Sequence, residues 1–435
     1  MHCIKSDRKT GIRVLKAGME NHMKRIKTGN RMAMVFGLCW FVYLCANIGR
    51  LSYSAVMAAV IEEGFSRTRC GLVGTGLYIC YGGSQILTGF FGDKVNSRKM
   101  ILTGMLLSAL MNWGMGLAGS TEQMLVLWCI NGAAQAMLWP PIIRIFSERL
   151  QGDFKKKACV HISTTFAMGT LIIYFLAGVL LEPIGYRGVF FLTGGIVAAA
   201  GLLFFVGFGR LERVMEKQAK SGEIKGSPEE KRKGWLKPET LALLVILGAA
   251  LVMQGMLRDG VTSWVPSYLN GVYHEGVQTS TLATMVLPLV NLIGVYAAEF
   301  VRKKSGKSEI VISAVLFLTA GAAVGIMICF GKLHIAVAVG AFAVITSCML
   351  GINTMIVNVI PVYFAWTGRI ALISGILNSC VYIGSSLALY GIGVVAAYFS
   401  WDVLLFILGS TAILGMTMCL LASVFWKKVS AVGTK

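Results

Sequence analysis

Twelve apolar runs divide this chain, at roughly 32–61, 71–91, 99–119, 121–146, 158–181, 188–209, 240–269, 279–300, 309–330, 334–361, 370–396 and 402–426. Each is long enough to cross a bilayer, which takes about 20 residues. Lipid offers the backbone no hydrogen-bonding partner, so such runs fold as helices that satisfy their own amides. The first run, MAMVFGLCWFVYLCANIGRLSYSAVMAAVI, holds one charged residue, Arg50, well inside its ends. A guanidinium near the bilayer centre costs about 2.5–3.5 kcal/mol on insertion scales, so it must face a partner, a water-filled cavity or a ligand. The seventh run repeats the arrangement with Arg258.

Of the 435 residues, 56% are hydrophobic and 14% charged, far from the about 45–50% and 25% of soluble domains. A net charge of +20 would suit nucleic acid in a soluble protein, but here lysine and arginine fall between apolar runs and set orientation. The chain reads as a multi-pass protein of the cell (plasma) membrane, with the lipid bilayer and not nucleic acid as its surroundings. Eleven cysteines lie mostly inside apolar runs, with no CxxC pair, so neither a disulfide framework nor a metal site is expected. No phosphate-loop, HExxH or Ser/His/Asp arrangement is present, so an enzyme is not expected and no cofactor is called for.

Residues 1–31 carry nine lysines and arginines against Asp7 and Glu20, which holds a basic tail on the cytoplasmic side. An even number of spans then returns a tail at 427–435 to that side. The alternate loops agree: Lys94, Arg98 and Lys99, then Arg149 and Lys155 to Lys157, then Arg302 to Lys304 and Lys307 fall inside. The longest polar stretch, Arg210 to Glu239, mixes lysine, glutamate, glycine and proline as flexible linkers do. It separates a bundle at 32–209 from a second at 240–426, leaving a linker at 210–239. The expected fold is all-α, twelve membrane-crossing helices in two six-helix bundles. An embedded arginine in the first helix of each bundle fits a transporter with its site between repeats.

Several stretches carry a family resemblance. They are Arg50 followed by Glu63-Gly64-Phe65-Ser66-Arg67; the loop GFFGDKVNSR from Gly89 to Arg98; Gln135 with Trp139-Pro140-Pro141 and Arg144; Leu257-Arg258 followed by Trp264, Pro266, Tyr268 and Leu269; and Phe399-Ser400-Trp401-Asp402. On these the chain resembles the major facilitator superfamily and, within it, the organophosphate:phosphate antiporters that carry glycerol phosphate and hexose phosphates. The resemblance implies the major facilitator fold, Arg50 and Arg258 as phosphate-holding groups, and inorganic phosphate as counter-substrate. It also leads one to expect a lysine in the second helix and a histidine in the fifth. Gln85 and Phe166 stand in those places.

Two arginines on facing helices suit an oxyanion, because each guanidinium offers a fixed fork of N–H donors and stays ionised. Asp259 follows Arg258 directly. Adjacent helix residues do not face each other, so it is expected to point elsewhere, pairing with a cation on another helix or serving proton coupling or a substrate amine. Further candidates to line the substrate site are Tyr53, Gln85, Asn131, Gln135, Trp139, Asn378 and Tyr382, although buried amides and hydroxyls also join helices to one another. Asp93, Arg98 and Arg144 are the expected gating residues: plain orientation explains the cations of this loop but not its aspartate. The sequence thus reads as a monomeric secondary transporter of a small organic anion, probed against two rivals. One is a carboxylate carrier, possible with proton coupling through Asp259; the other is a membrane sensor of a phosphorylated metabolite that moves nothing.

Overall fold

The computed structural model describes residues 3–220, 238–274 and 286–433. Positions 221–237 of the expected linker and 279–285 of the expected eighth span lie outside the described residues. In chain order the helices are α1 (Cys3–Glu62), α2 (Arg67–Gly92), α3 (Ser97–Leu117), α4 (Thr121–Ala136), α5 (Trp139–Arg149), α6 (Gly152–His161) and α7 (Thr164–Lys220). After the first gap come α8 (Pro238–Gly255), a π-helical turn (Met256–Gly260) and α9 (Val261–Tyr273). The last group is α10 (Val286–Ser305), α11 (Glu309–Phe330), α12 (Ile335–Asn353), α13 (Ile370–Tyr398) and α14 (Trp401–Gly433). A π turn (Thr354–Val359) and a 3-10 segment (Ile360–Thr367) lead from α12 to α13.

Local chemistry places the breaks. Asn96 starts α3 by accepting from the amides of Arg98 and Lys99, and Ser120 and Ser308 start α4 and α11 the same way. The expected fourth span is broken at Met137 and Leu138, because Pro140 and Pro141 at the start of α5 cannot continue the ladder of α4. The chain bends inside α7 at Gly185, whose φ of 63° favours glycine, two residues after Pro183. This bend lies between the expected fifth and sixth spans.

Nine stretches among the described residues are long and apolar enough to cross a membrane. Gly152–Val214 counts once although it bends at Gly185, and α2 and α10 are not among the nine. Leu87, Phe175, Leu203, Val245, Ile293, Leu318 and Phe406 stand exposed on the outside, as side chains that face lipid do.

Among the described residues, α1 packs on α7, α3 on α4 and α7, and α2 on α4; beyond the gap, α8 packs on α13 and α14, α11 on α12 and α14, and α10 on α12. The two groups meet chiefly where α2 crosses α13. Glycine permits that crossing: a Cβ on Gly375 would come within 2.4 Å of the Gln85 carbonyl oxygen. The same device brings α8 against α13, where a Cβ on Gly384 would lie 2.0 Å from the Val252 carbonyl oxygen. Such contacts replace a hydrophobic driving force that lipid cannot supply. Gly384→Val should therefore lower the melting temperature in detergent, with a loss of about 3 kcal/mol or failure to fold. Gly195→Ala, where nothing lies within 4 Å of the added carbon, should leave it unchanged or slightly raised.

Candidate functional site

Each of three helices offers one inward face at helical spacing: Tyr43, Asn47 and Arg50 on α1; Tyr78, Tyr81 and Gln85 on α2; Asn378, Tyr382 and Ser385 on α13. Arg50, only 5% exposed, donates through Nη1 to the Tyr382 hydroxyl at 3.1 Å and through Nη2 to the Asn47 side-chain oxygen. Its guanidinium carbon lies 5.2 Å from the centre of the Tyr81 ring and 5.8 Å from that of Phe166. Among the described residues no carboxylate pairs with it.

Arg258 reaches the same place from the other group of helices. Its guanidinium carbon sits 5.7 Å from the centre of the Tyr382 ring, so one tyrosine touches both arginines. Nη1 donates to the Asn353 side-chain oxygen at 3.1 Å. Nε and Nη2 donate to the two oxygens of Asp259, each at 2.8 Å. The expectation that Asp259 points away is therefore corrected. Neighbours on an α-helix point apart, but Met256–Gly260 is a π turn, in which each residue advances through a smaller angle and neighbours lie closer. Ser385 on α13 donates to Asp259 as well, at 2.5 Å.

Other candidates divide in two. Gln85 is fully buried with neither amide atom hydrogen-bonded among the described residues, and the Trp139 indole N–H is in the same condition. The Trp139 and Tyr43 rings pack tilted with centres 5.2 Å apart, and those of Tyr81 and Tyr382 likewise at 4.3 Å. These groups ring the arginines with aromatic surface and spare donors. Asn378 is buried on the Tyr382 face of α13. By contrast, Tyr53 donates to the Cys70 carbonyl and packs on Trp128, away from the pair. Asn131 accepts from Ser108, which also accepts from Gln135, and Gln135 donates to the Ala46 carbonyl besides. That set joins helices α1, α3 and α4. Asn47, Tyr78, Tyr81 and Ser385 were missed, although their spacing from Arg50, Gln85 and Tyr382 would have found them.

Comparison with known proteins bears on the family and the fold. The description of the Major Facilitator Superfamily matches residues 39–389. The chain belongs to that superfamily. A solved structure of the superfamily's proton:xylose symporter XylE aligns with 92% of this chain and 96% of its own at a TM-score of 0.68 and 14% identity, which is a likeness of fold. Among curated relatives, a probable hexose phosphate transport protein of Chlamydia muridarum is 29% identical over 39% of this chain, and the match spans only 37% of that relative's length. A glycerol-3-phosphate transporter of Bacillus subtilis is 24% identical over 64% of this chain and 66% of its own. Members of this superfamily are transporters and not enzymes, and the chain is a multi-pass protein of the plasma membrane.

In this superfamily member the loop after α2 reaches across the two groups of helices. The Asp93 carboxylate accepts from the amides of Ala371 and Leu372 at 2.9 and 3.0 Å, at the start of α13, where the helix dipole favours an anion. Burial pushes the Asp93 carboxyl above its ordinary 3.8, with the two amides and Arg144 acting the other way. Of the three expected gating residues only Asp93 spans the groups. Arg144 donates to the carbonyls of Gly92 and Val95 and to Glu148, holding the loop in shape. Arg98 lies over the Phe205 ring and pairs with Glu212 at 3.4 Å.

Asp93→Ala would leave two amides without their acceptor, at about 1–3 kcal/mol each. With every 1.4 kcal/mol worth about tenfold, the balance should move at least about tenfold toward separation at this end. Spin labels at Lys99 and Lys304 in a cysteine-free background would read it as a population at longer distance, and an unchanged distribution would refute a gating role for Asp93.

Proposed function

We propose that this protein is a secondary transporter of a small organic anion, a phosphorylated metabolite exchanged for inorganic phosphate, working by alternating access between two six-helix bundles. The observation that carries the reading is Arg50: buried, permanently charged, surrounded by neutral partners, and joined through Tyr382 to Arg258 from the other group. A cation so placed asks for an anion. At an effective dielectric near 20, unit charges 4 Å apart gain about 4 kcal/mol, enough to offset part of the dehydration without trapping the ligand. In this cycle Arg50 and Arg258 draw the bundles together around the anion, the Asp93 contact parts, and release follows on that side.

The topology that goes with the proposal has twelve spans, both termini cytoplasmic, bundles at 32–209 and 240–426 and a monomeric protein. The names of the curated relatives, a hexose phosphate carrier and a glycerol-3-phosphate transporter, support a phosphorylated substrate. One observation favours a second reading, a carboxylate carrier coupled to protons. Asp259 neutralises Arg258, and Gln85 and Phe166 stand where the resemblance leads one to expect a lysine and a histidine.

Exchange of labelled phosphate in proteoliposomes tests the first reading. A hydrogen bond to a charged group is worth about 1.5–3 kcal/mol, so Arg50→Lys and Arg258→Lys should each cut exchange by at least about tenfold. Undiminished exchange in both variants rejects the site. Uptake driven by a pH gradient without phosphate selects the carboxylate carrier, and binding without any flux selects a sensor.

A further inference from the structure

We infer that the site takes an anion carrying a single negative charge, and that Asp259 sets this limit by permanently neutralising Arg258. The inference rests on the reading of Arg50 and Arg258 as the anion site and deepens it to a substrate class.

The argument is a count of fixed charge. Around the shared Tyr382, the ionised groups among the described residues are Arg50, Arg258 and Asp259; the remaining neighbours, Tyr43, Tyr78, Tyr81, Gln85, Trp139, Asn353 and Ser385, are neutral at working pH. Within reach of Asp259 lie Arg258 on its own turn, Arg50 on α1, Tyr78 on α2, and Tyr382 and Ser385 on α13. Every hydrogen bond that Asp259 makes is one in which it accepts: from Nε and Nη2 of Arg258 and from the Ser385 hydroxyl. A guanidinium offers donors only, and its two-pronged grip on both carboxylate oxygens favours the ionised form. The carboxylate is therefore built to be ionised, and Arg258 with Asp259 forms a neutral pair that is 11% and 12% exposed.

What is left is one uncompensated positive charge, on Arg50. A singly charged oxyanion cancels it. A doubly charged one leaves a net negative charge among aromatic rings and against the fixed carboxylate of Asp259, where like charges disfavour each other. The neutral donors of Gln85 and Trp139, which have no partner among the described residues, can meet the oxygens of such a ligand without adding charge. They suit a phosphate group with one proton still on it, or a sulfonate or carboxylate of one charge.

The test uses ligands whose charge is fixed or set by pH, with affinity read from thermal shift of the full chain in detergent. Methyl phosphate carries one charge at about pH 5 and two at about pH 8, on either side of a second pKa near 6; methanesulfonate carries one throughout. Wild-type protein should lose at least about tenfold in affinity for methyl phosphate between the two pH values and little for methanesulfonate. Asp259→Asn should gain affinity for the doubly charged form, and Asp259→Glu should behave as wild type. If Asp259→Asn does not fold, the wild-type pair of ligands still decides. Equal affinity for methyl phosphate at both pH values, with Arg50→Lys abolishing binding, overturns the charge limit while the anion site stands. Binding unaffected by Arg50→Lys overturns the site and the inference with it.

Discussion

A guanidinium that cannot be discharged, held away from water among tyrosines and an asparagine, is the constraint to which the rest of the structure answers. Arg50 must sit where a counter-charge can come and go, since a fixed carboxylate would cancel it and bulk water would make it ordinary. Its closest partners, Asn47 and Tyr382, are dipoles with no net charge. They direct the N–H groups without neutralising them. The long-range partner belongs to a helix 332 positions later in the chain, so the arginine also ties the two groups of helices together at the place where a ligand would bind.

The contrast with Arg258 shows what a paired cation does. Held on both edges by Asp259 and Asn353, it contributes shape, a flat guanidinium beneath the Tyr382 ring, more than free charge. A buried ion pair gains little net stability, because desolvation consumes most of the attraction. Its value lies in fixing where charge is and is not. The π turn that creates the pair gives up regular α-helical hydrogen bonding, and turns of this type tend to persist where function holds them in place.

Much of this was legible in the sequence for a plain reason. A charge inside an apolar run is expensive wherever it occurs, so Arg50 and Arg258 announce themselves without knowledge of any neighbour. The apolar runs follow from equally local chemistry; the breaks at Pro140 and Gly185 have local causes too, although 121–146 was expected as one span, whereas the reach of Asp93 to the start of α13, 278 positions on, depends on tertiary packing. The misreading of Asp259 had a local cause too: winding was taken as α-helical throughout, and nothing in MLRDG signals a π turn. Tyr382 as the shared contact could not be read, because its role depends on how α1, α2, the π turn and α13 converge. The substitution of Phe166 for an expected histidine was visible, yet only the structure sets its ring beside the Arg50 guanidinium.

Rocking two groups of helices against each other requires contacts that are close but not sticky, and the α2–α13 crossing has that character. Gly89 and Gly375 let the two backbones approach closely at this crossing. The polar contacts along the seam reuse backbone groups: Ser379 donates to the Gly82 carbonyl at 2.7 Å, and Asp93 accepts from two amides that a helix start leaves free in any case. On parting, water can satisfy each of these groups. At the far crossing His161 meets Tyr296, and Ser163 meets Thr354 and Asn358, again with uncharged or singly hydrogen-bonded partners. Contacts that water can replace hold the two groups without locking them, so an anion resting on Arg50, which already reaches Tyr382 of the second group, adds to the attraction between them.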